Sequence, residues 1–429
     1  MRIGVLGGGL SGLAVGSFLN HDFLVMEASA ECGGLCKSVV EEGYTFDVGG
    51  SHVIFSKNHE ILNIMLDLLR GNVTSCRRNA KVFFKGRMVK YPFENGLGEL
   101  KVADNLACLF SYLATSLRPT KGPSTNLKEF LISRFGKGIA YKYLIPYNEK
   151  IWATPAEDLS TGWVENRLPM PPLSDVVKSS FGISTEGYLH QSTFYYPSAG
   201  GISALAESLA QKCKGRILTS FPATKIRKED GKWIVSSSKK QEVFDRLVST
   251  IPIFSLLDCL EGVPAEIKDA SRRLRYNRVA TVTLGYPNRY RNDVSWAYFP
   301  GSELFNRLSF PANFSQHNAP ENHFSALAEI TYRPESATAR LSDEELISRT
   351  IESVDKDGLV PAKEIGYSRV HRNEYAYIIQ DKSYEETRAK VTSYLESLGI
   401  TLCGRFSEYR YLNMDACILS AKNTALALR

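Results

Sequence analysis

Gly7, Gly9 and Gly12 follow a short apolar run, Arg2 to Leu6, and open a stretch of helical spacing, Leu10 to Asn20. Glycines so spaced let a chain turn tightly, bring its backbone against a phosphate and pack a helix close to a strand. The start of the helix, at Leu10 and Ser11, then presents unpaired N–H groups to an anion. Glu27 closes the next apolar run, Phe23 to Met26, where a carboxylate can accept a hydrogen bond from a ribose hydroxyl. Strand, helix, strand and acid in this order predict a βαβ unit that binds a dinucleotide.

NAD and FAD share that fingerprint, and the next segment favours FAD. Glu31-Cys32-Gly33-Gly34-Leu35-Cys36-Lys37-Ser38 carries a second Gly-Gly loop, and Asp47-Val48-Gly49-Gly50-Ser51-His52 a third. Both allow the close backbone approach that a buried flavin requires. The combination resembles the two-glycine FAD-binding proteins, which include amine oxidases, protoporphyrinogen oxidases, carotene desaturases, Rab escort-type inhibitors and UDP-galactopyranose mutases. The resemblance implies FAD contacts at Gly7, Gly9, Leu10, Ser11, Gly12, Glu27, Gly33, Gly34, Leu35 and Gly50.

Further motifs follow in the order of the mutases. Tyr91-Pro92-Phe93-Glu94 comes after a hairpin at Lys85-Gly86, and Asn148-Glu149-Lys150-Ile151-Trp152 ends a helix. Both resemble mutase segments that hold uracil and ribose, which implies nucleotide contacts at Tyr91, Phe93, Asn148 and Trp152. Flat rings suit a base and an amide its polar edge. Trp163 to Arg167 and Trp296-Ala297-Tyr298 with Phe305-Asn306-Arg307 resemble the segments carrying the family's diphosphate arginines, so Arg167 and Arg307 become a catalytic pair. A guanidinium fork forms charge-assisted bonds to phosphate oxygens worth about 1.5–3 kcal/mol each. The resemblance also implies sugar or phosphate contacts at Trp296, Tyr298, Tyr377 and Tyr411, with Tyr375 competing for the place of Tyr377. It implies flavin contacts at Arg405, Asn413 and Met414, and a histidine beside the flavin at His52. Four departures from the mutase pattern lie near the expected site: Glu94 where glutamine is usual, Tyr409 for tryptophan, Ala416 for histidine, and Ser51 inserted before His52.

The implied activity is interconversion of UDP-galactopyranose and UDP-galactofuranose, or of a related nucleotide sugar, for surface polysaccharide synthesis. Reduced flavin N5 would be the covalent catalyst, and NAD(P)H or another external reductant would reduce it. Two rivals share the N-terminal signature: an FAD-dependent oxidase or desaturase of an amine, porphyrin or polyene, and a non-enzymatic binding protein on the same fold.

The elements that must position these residues follow from length and pattern. At 429 residues, 43% of them hydrophobic, the chain can bury a large core in two or three packed units. Its 52 basic and 46 acidic residues are interspersed, so no nucleic-acid footprint stands out. Eight cysteines without CxxC spacing, and His59, His317, His323 and His371 without ligand spacing, point to reduced thiols in a cytoplasmic protein with no metal. The uncharged stretch 3–20 is too rich in glycine for a membrane span. The expected class is α/β. A Rossmann-like FAD-binding domain spans 1–75, 192–275 and 400–429. A helical subdomain is inserted at 101–191, and an antiparallel β-sheet substrate domain spans 76–100 and 276–399.

Overall fold

In the computed structural model, residues 1–117, 122, 124–164, 171–185 and 192–429 are described. The first strand, Arg2–Leu6, lies at the centre of a five-stranded parallel sheet. It is flanked by Asp22–Met26 and Ile217–Leu218 on one side and by Arg246–Ser249 and Ile400–Leu402 on the other. Ile3, Val5 and Leu6 are buried because both faces of the sheet are covered, the usual state of a parallel sheet. Helices Leu10–Phe18, Ser203–Lys212 and Met414–Ala427 cover one face. The other meets Trp233, Val235 and Phe244 of a three-stranded antiparallel sheet, whose first hairpin turns at Asp230-Gly231 as that dipeptide predicts.

A second sheet has seven strands, in the order Tyr367–Ile379, Arg275–Pro287, His323–Tyr332, Arg307–Ser309, Trp296–Tyr298, Ala80–Phe84 and Arg87–Lys90. All its pairs are antiparallel except Trp296–Tyr298 with Ala80–Phe84. The helix Asp343–Lys356 contributes Leu346 and Val354 to the apolar cluster on one side; Ser342 opens it with a capping box to Glu345. Val82 and Val89 join a cluster of helical side chains from Val102–Ser116, Leu127–Ile139 and Ile145–Trp152.

Register decides which side chains can meet. Tyr298 lies opposite Arg307, and Arg307 opposite Glu329, so the three form one row across neighbouring strands. The pairing of the two longest strands slips between Asn277 and Val279: Tyr377 pairs with Asn277 and Asn373 with Val279. Such a bulge re-aims side chains, and here it parts Tyr375 from Tyr377.

Candidate active site

The glycine loop folds as its spacing predicts. Gly7 has φ +97°, a conformation that favours glycine, and its N–H donates to Met26 O at 2.8 Å. A Cβ on Gly12 would stand 1.9 Å from Gly7 O, so helix and strand pack this closely only without a side chain. Gly9 and Gly34 face each other, with an added Cβ on Gly34 only 3.2 Å from the Gly9 Cα. A cavity of about 630 Å³ opens along this junction, lined by Gly7, Gly9, Leu10, Ser11, Glu27, Gly33, Gly34 and Leu35, and further on by His52, Arg405 and Met414. The helices starting at Leu10 and Met414 have no side-chain cap, which leaves their first N–H groups to the cavity. Asn413 stands at the cap position of the second.

The volume, the bare glycine backbone and the two helix N-termini fit FAD. Glu27 has a double role. Its Oε2 accepts from Gly8 N at 2.7 Å and its Oε1 from Ser29 N at 2.8 Å, so the carboxylate braces the loop while lone pairs remain for a ribose. Gly50 is placed differently: its φ is +96°, a Cβ there would meet the Glu329 carboxylate at 3.0 Å, and its carbonyl accepts from His52 Nδ1 at 2.7 Å.

That third glycine loop joins the cavity to the seven-stranded sheet. Val48 O accepts from Thr281 Oγ1 at 3.1 Å and Asn373 Nδ2 at 2.8 Å, and Ser51 N donates to Glu329 Oε1 at 3.0 Å. Glu329, only 1% exposed, binds Arg307 through Nε at 2.8 Å and Nη2 at 2.5 Å; Arg307 Nη2 also reaches Ser51 O at 3.3 Å. Burial opposes the guanidinium charge, but Glu329 and the nearby phenols of Tyr377, Tyr298 and Tyr147 hold its pKa above the ordinary value. Burial, reinforced by Arg405 and Arg307, lowers the pKa of His52 to about 4. The imidazole is neutral at pH 7, with Nδ1–H donated to Gly50 O and Nε2 left as an acceptor.

An aromatic wall extends from this pair. Trp296 Nε1 donates to Tyr298 Oη at 2.9 Å, and Tyr298 packs against Tyr91 and Tyr147 with ring centres 5.0 and 5.1 Å apart. Trp152 contacts Tyr377 and Tyr411, which stack on each other at 6.0 Å. Burial raises the pKa of Tyr91, Tyr147 and Tyr377, so all three remain protonated donors. Phe93, Asn148 and Trp152 are buried behind the wall. Phe93 stacks on Tyr143 at 5.1 Å, and Asn148 is spent locally, with Nδ2 donating to Leu144 O and Oδ1 accepting from Trp152 Nε1. These three brace the wall more than they present a surface to a ligand. Arg167 lies outside the described residues.

Tyr375 and Tyr377, two residues apart on the bulged strand, sit in different surroundings. Tyr375 turns to the glycine-loop cavity beside Phe254 and Phe406, whereas Tyr377 joins the wall next to Arg307. Sequence reasoning missed Glu329, Tyr147, Asp47 and Thr250. Glu329 had a signal: it is an acid inside the apolar strand His323–Tyr332, where a buried carboxylate demands a partner. Asp47 Oδ1 accepts from Ser38, Tyr196 and Ile202 N, and burial raises its pKa to about 6. Thr250 Oγ1 donates to Leu6 O at 2.7 Å beside the first glycine.

The chain matches the family of flavin containing amine oxidoreductases over residues 10–428, and it belongs to that family. FAD is the cofactor this membership implies. Its fold is similar over its whole length to the crystal structure of a reduced UDP-galactopyranose mutase, with TM-score 0.91, 27% identity and 94% of that chain covered. Wild-type putrescine oxidase bound to putrescine shares the fold at TM-score 0.69 and 16% identity, over 100% of this chain and 99% of that one. Among curated proteins, the inactive all-trans-retinol 13,14-reductase of Danio rerio is 40% identical over 62 residues, 14% of this chain. The 4,4'-diapophytoene desaturase of Staphylococcus aureus is 24% identical over 164 residues, 37% of this chain. The matches cover 10% and 30% of those two relatives' lengths. Whole-chain likeness to the mutase agrees with the resemblance carried by the motifs.

Proposed function

We propose that this protein interconverts the pyranose and furanose forms of a UDP-sugar, galactose foremost, with reduced FAD. Reduced flavin, when bound, supplies the nucleophile for the anomeric carbon. The protein's own groups handle the departing diphosphate. Glu329 occupies Nε and Nη2 of Arg307 and aligns the guanidinium, leaving Nη1 for a phosphate oxygen. Neutral hydroxyls on Tyr147 and Tyr377 lie beside it as donors, and Tyr298 and Tyr411 extend the grip. Preorganised donors stabilise the charge that develops on the diphosphate as its bond to the sugar breaks, and they keep it in place for its return. Neutral His52 offers Nε2 to a sugar hydroxyl without adding a further positive charge.

One observation carries this reading: the buried Arg307–Glu329 pair is set among tyrosines, next to a histidine that lines the cofactor cavity. Oxidation of a polyene or porphyrin calls for apolar walls instead. The test is an anaerobic assay with UDP-galactofuranose. Dithionite-reduced protein is expected to convert it to the pyranose and oxidised protein to leave it unchanged. Absence of conversion by reduced, flavin-loaded protein, together with turnover of an amine, overturns the proposal in favour of an oxidase.

A further inference from the structure

Lys150 stands one turn beyond Tyr147 on the helix Ile145–Trp152. Its Nζ donates to Phe299 O at 2.9 Å, to Gly301 O at 3.0 Å and to Glu303 Oε2 at 3.4 Å, so all three N–H groups of the ammonium are taken. Those acceptors belong to the loop 299–306, which joins strand Trp296–Tyr298 to strand Arg307–Ser309 and is closed at its base by Phe299 N donating to Asn306 O at 2.9 Å. The loop therefore links Tyr298 to Arg307, which lie opposite each other in the sheet. The backbone of Lys150 is held as well: its carbonyl accepts from Thr331 Oγ1 at 3.0 Å, and Thr331 Oγ1 accepts from Asn306 Nδ2 at 3.0 Å. The side chains of Lys150 and Glu303 are only 17% and 13% exposed, so this ion pair sits largely out of water.

Given the wall as a diphosphate site, we infer that Lys150 is its positioning residue: the ammonium clamps the helix that carries Tyr147 to the hairpin that carries Tyr298 and Arg307, and the wall keeps its binding shape only while the clamp is charged. Tyr147 and Tyr298 touch across this junction through an edge-on ring contact at 5.1 Å, which sets their separation loosely. Three directional hydrogen bonds set it firmly. A neutral amine has two N–H groups and a lone pair, and a lone pair facing a carbonyl or a carboxylate repels it, so loss of the proton breaks at least one of the three bonds. The charged groups facing Lys150 are Glu303 in the loop and Asp357 just beyond the helix Asp343–Lys356. Burial brings the pKa of Lys150 down to about 8, against the pull of these two acids. Burial and Glu303 raise Asp357 to about 6, with Lys356 and Lys150 opposing. The clamp is largely charged at pH 7 and discharges as the pH passes 8.

The test is binding of UDP to the full, flavin-loaded chain, followed by tryptophan fluorescence, since Trp296 lies in the wall and Trp152 braces it. Wild-type Kd should rise roughly tenfold from pH 7 to pH 9, where about a tenth of Lys150 stays protonated. Glu303→Gln keeps an acceptor but removes the main charge that supports the ammonium, so it should move this rise to lower pH; Asp357→Asn should move it the same way by less. Lys150→Arg, whose charge persists, should bind UDP equally at pH 7 and pH 9. Lys150→Met should bind at pH 7 as weakly as the wild type does at pH 9, with its flavin absorbance unchanged. Titration of UDP itself is common to every variant and does not move among them. A wild-type Kd that stays flat from pH 7 to pH 9, or a rise at the same pH in Glu303→Gln and Lys150→Arg as in the wild type, overturns the inference and leaves the diphosphate site standing. A wild type that binds no UDP at any pH overturns both.

Discussion

The glycine-loop cavity and the aromatic wall adjoin, yet they are built from different parts of the chain. The cavity is largely backbone: Gly7, Gly9, Gly33 and Gly34, with the N-termini of two helices, form it with few side chains. The wall is almost wholly side chain, drawn from the helix Ile145–Trp152, the strands Trp296–Tyr298, Arg307–Ser309 and His323–Tyr332, and the bulged strand Tyr367–Ile379. A backbone site tolerates change around it but not within it. A side-chain site depends on each residue having its partner.

Substitutions can break this contrast or sharpen it. Arg307→Ala should have the largest effect. It is expected to lower kcat by about 10³ and, by stranding the buried Glu329, to cost about 3–5 kcal/mol in a denaturant titration. Arg307→Lys should recover much of the stability but little of the rate, since an ammonium cannot reproduce the planar fork. In the cavity, Gly12→Ala places a methyl group against Gly7 O and should cost about 3 kcal/mol, read as loss of folded, yellow protein. Gly9→Ala meets its nearest atom at 3.8 Å. It should keep the unfolding midpoint while FAD binds at least ~10-fold more weakly; equal damage from both alanines would refute the idea that backbone shape alone makes this site.

The junction between the two regions predicts a pH effect. Burial raises the pKa of Asp47 from 3.8 to about 6, so between those values the folded state binds more protons and its contribution to stability falls as pH rises. His52, lowered from 6.5 to about 4, does the opposite, and its contribution rises with pH over that span. Urea midpoints measured from pH 4 to 6.5 should therefore be nearly flat for the wild type. They should rise with pH in Asp47→Asn and fall in His52→Asn, with a span on the order of 2 kcal/mol for the carboxyl. The smallest expected effect is that of Tyr298→Phe, which removes the acceptor of Trp296 Nε1 and should lower kcat/KM about fivefold, near 1 kcal/mol.

Much of the first region was readable before any coordinates. Tight turns and close helix packing are local demands that only glycine meets, so Gly7 and Gly12 announced their geometry through residue type and spacing. The hairpin turn at Asp230-Gly231 and the Ser342–Glu345 capping box are local signals too, carried by neighbouring residue types. The wall was legible only as motifs: Arg307, Tyr298, Tyr377 and Tyr411 do meet, but Phe93, Asn148 and Trp152 lie behind them, and Gly50 serves the ion pair. Glu329 was overlooked because an acid in a strand does not say which strand lies beside it.

Taken alone, the chain of letters determined the βαβ unit at its start and its glycine loop, because these rest on contacts between residues close in sequence. Tertiary structure decided the pairing of Arg307 with Glu329, the neutral state of His52 and the separate surroundings of Tyr375 and Tyr377. Those depend on strand register, a bulge and burial, which exist only once distant segments have packed.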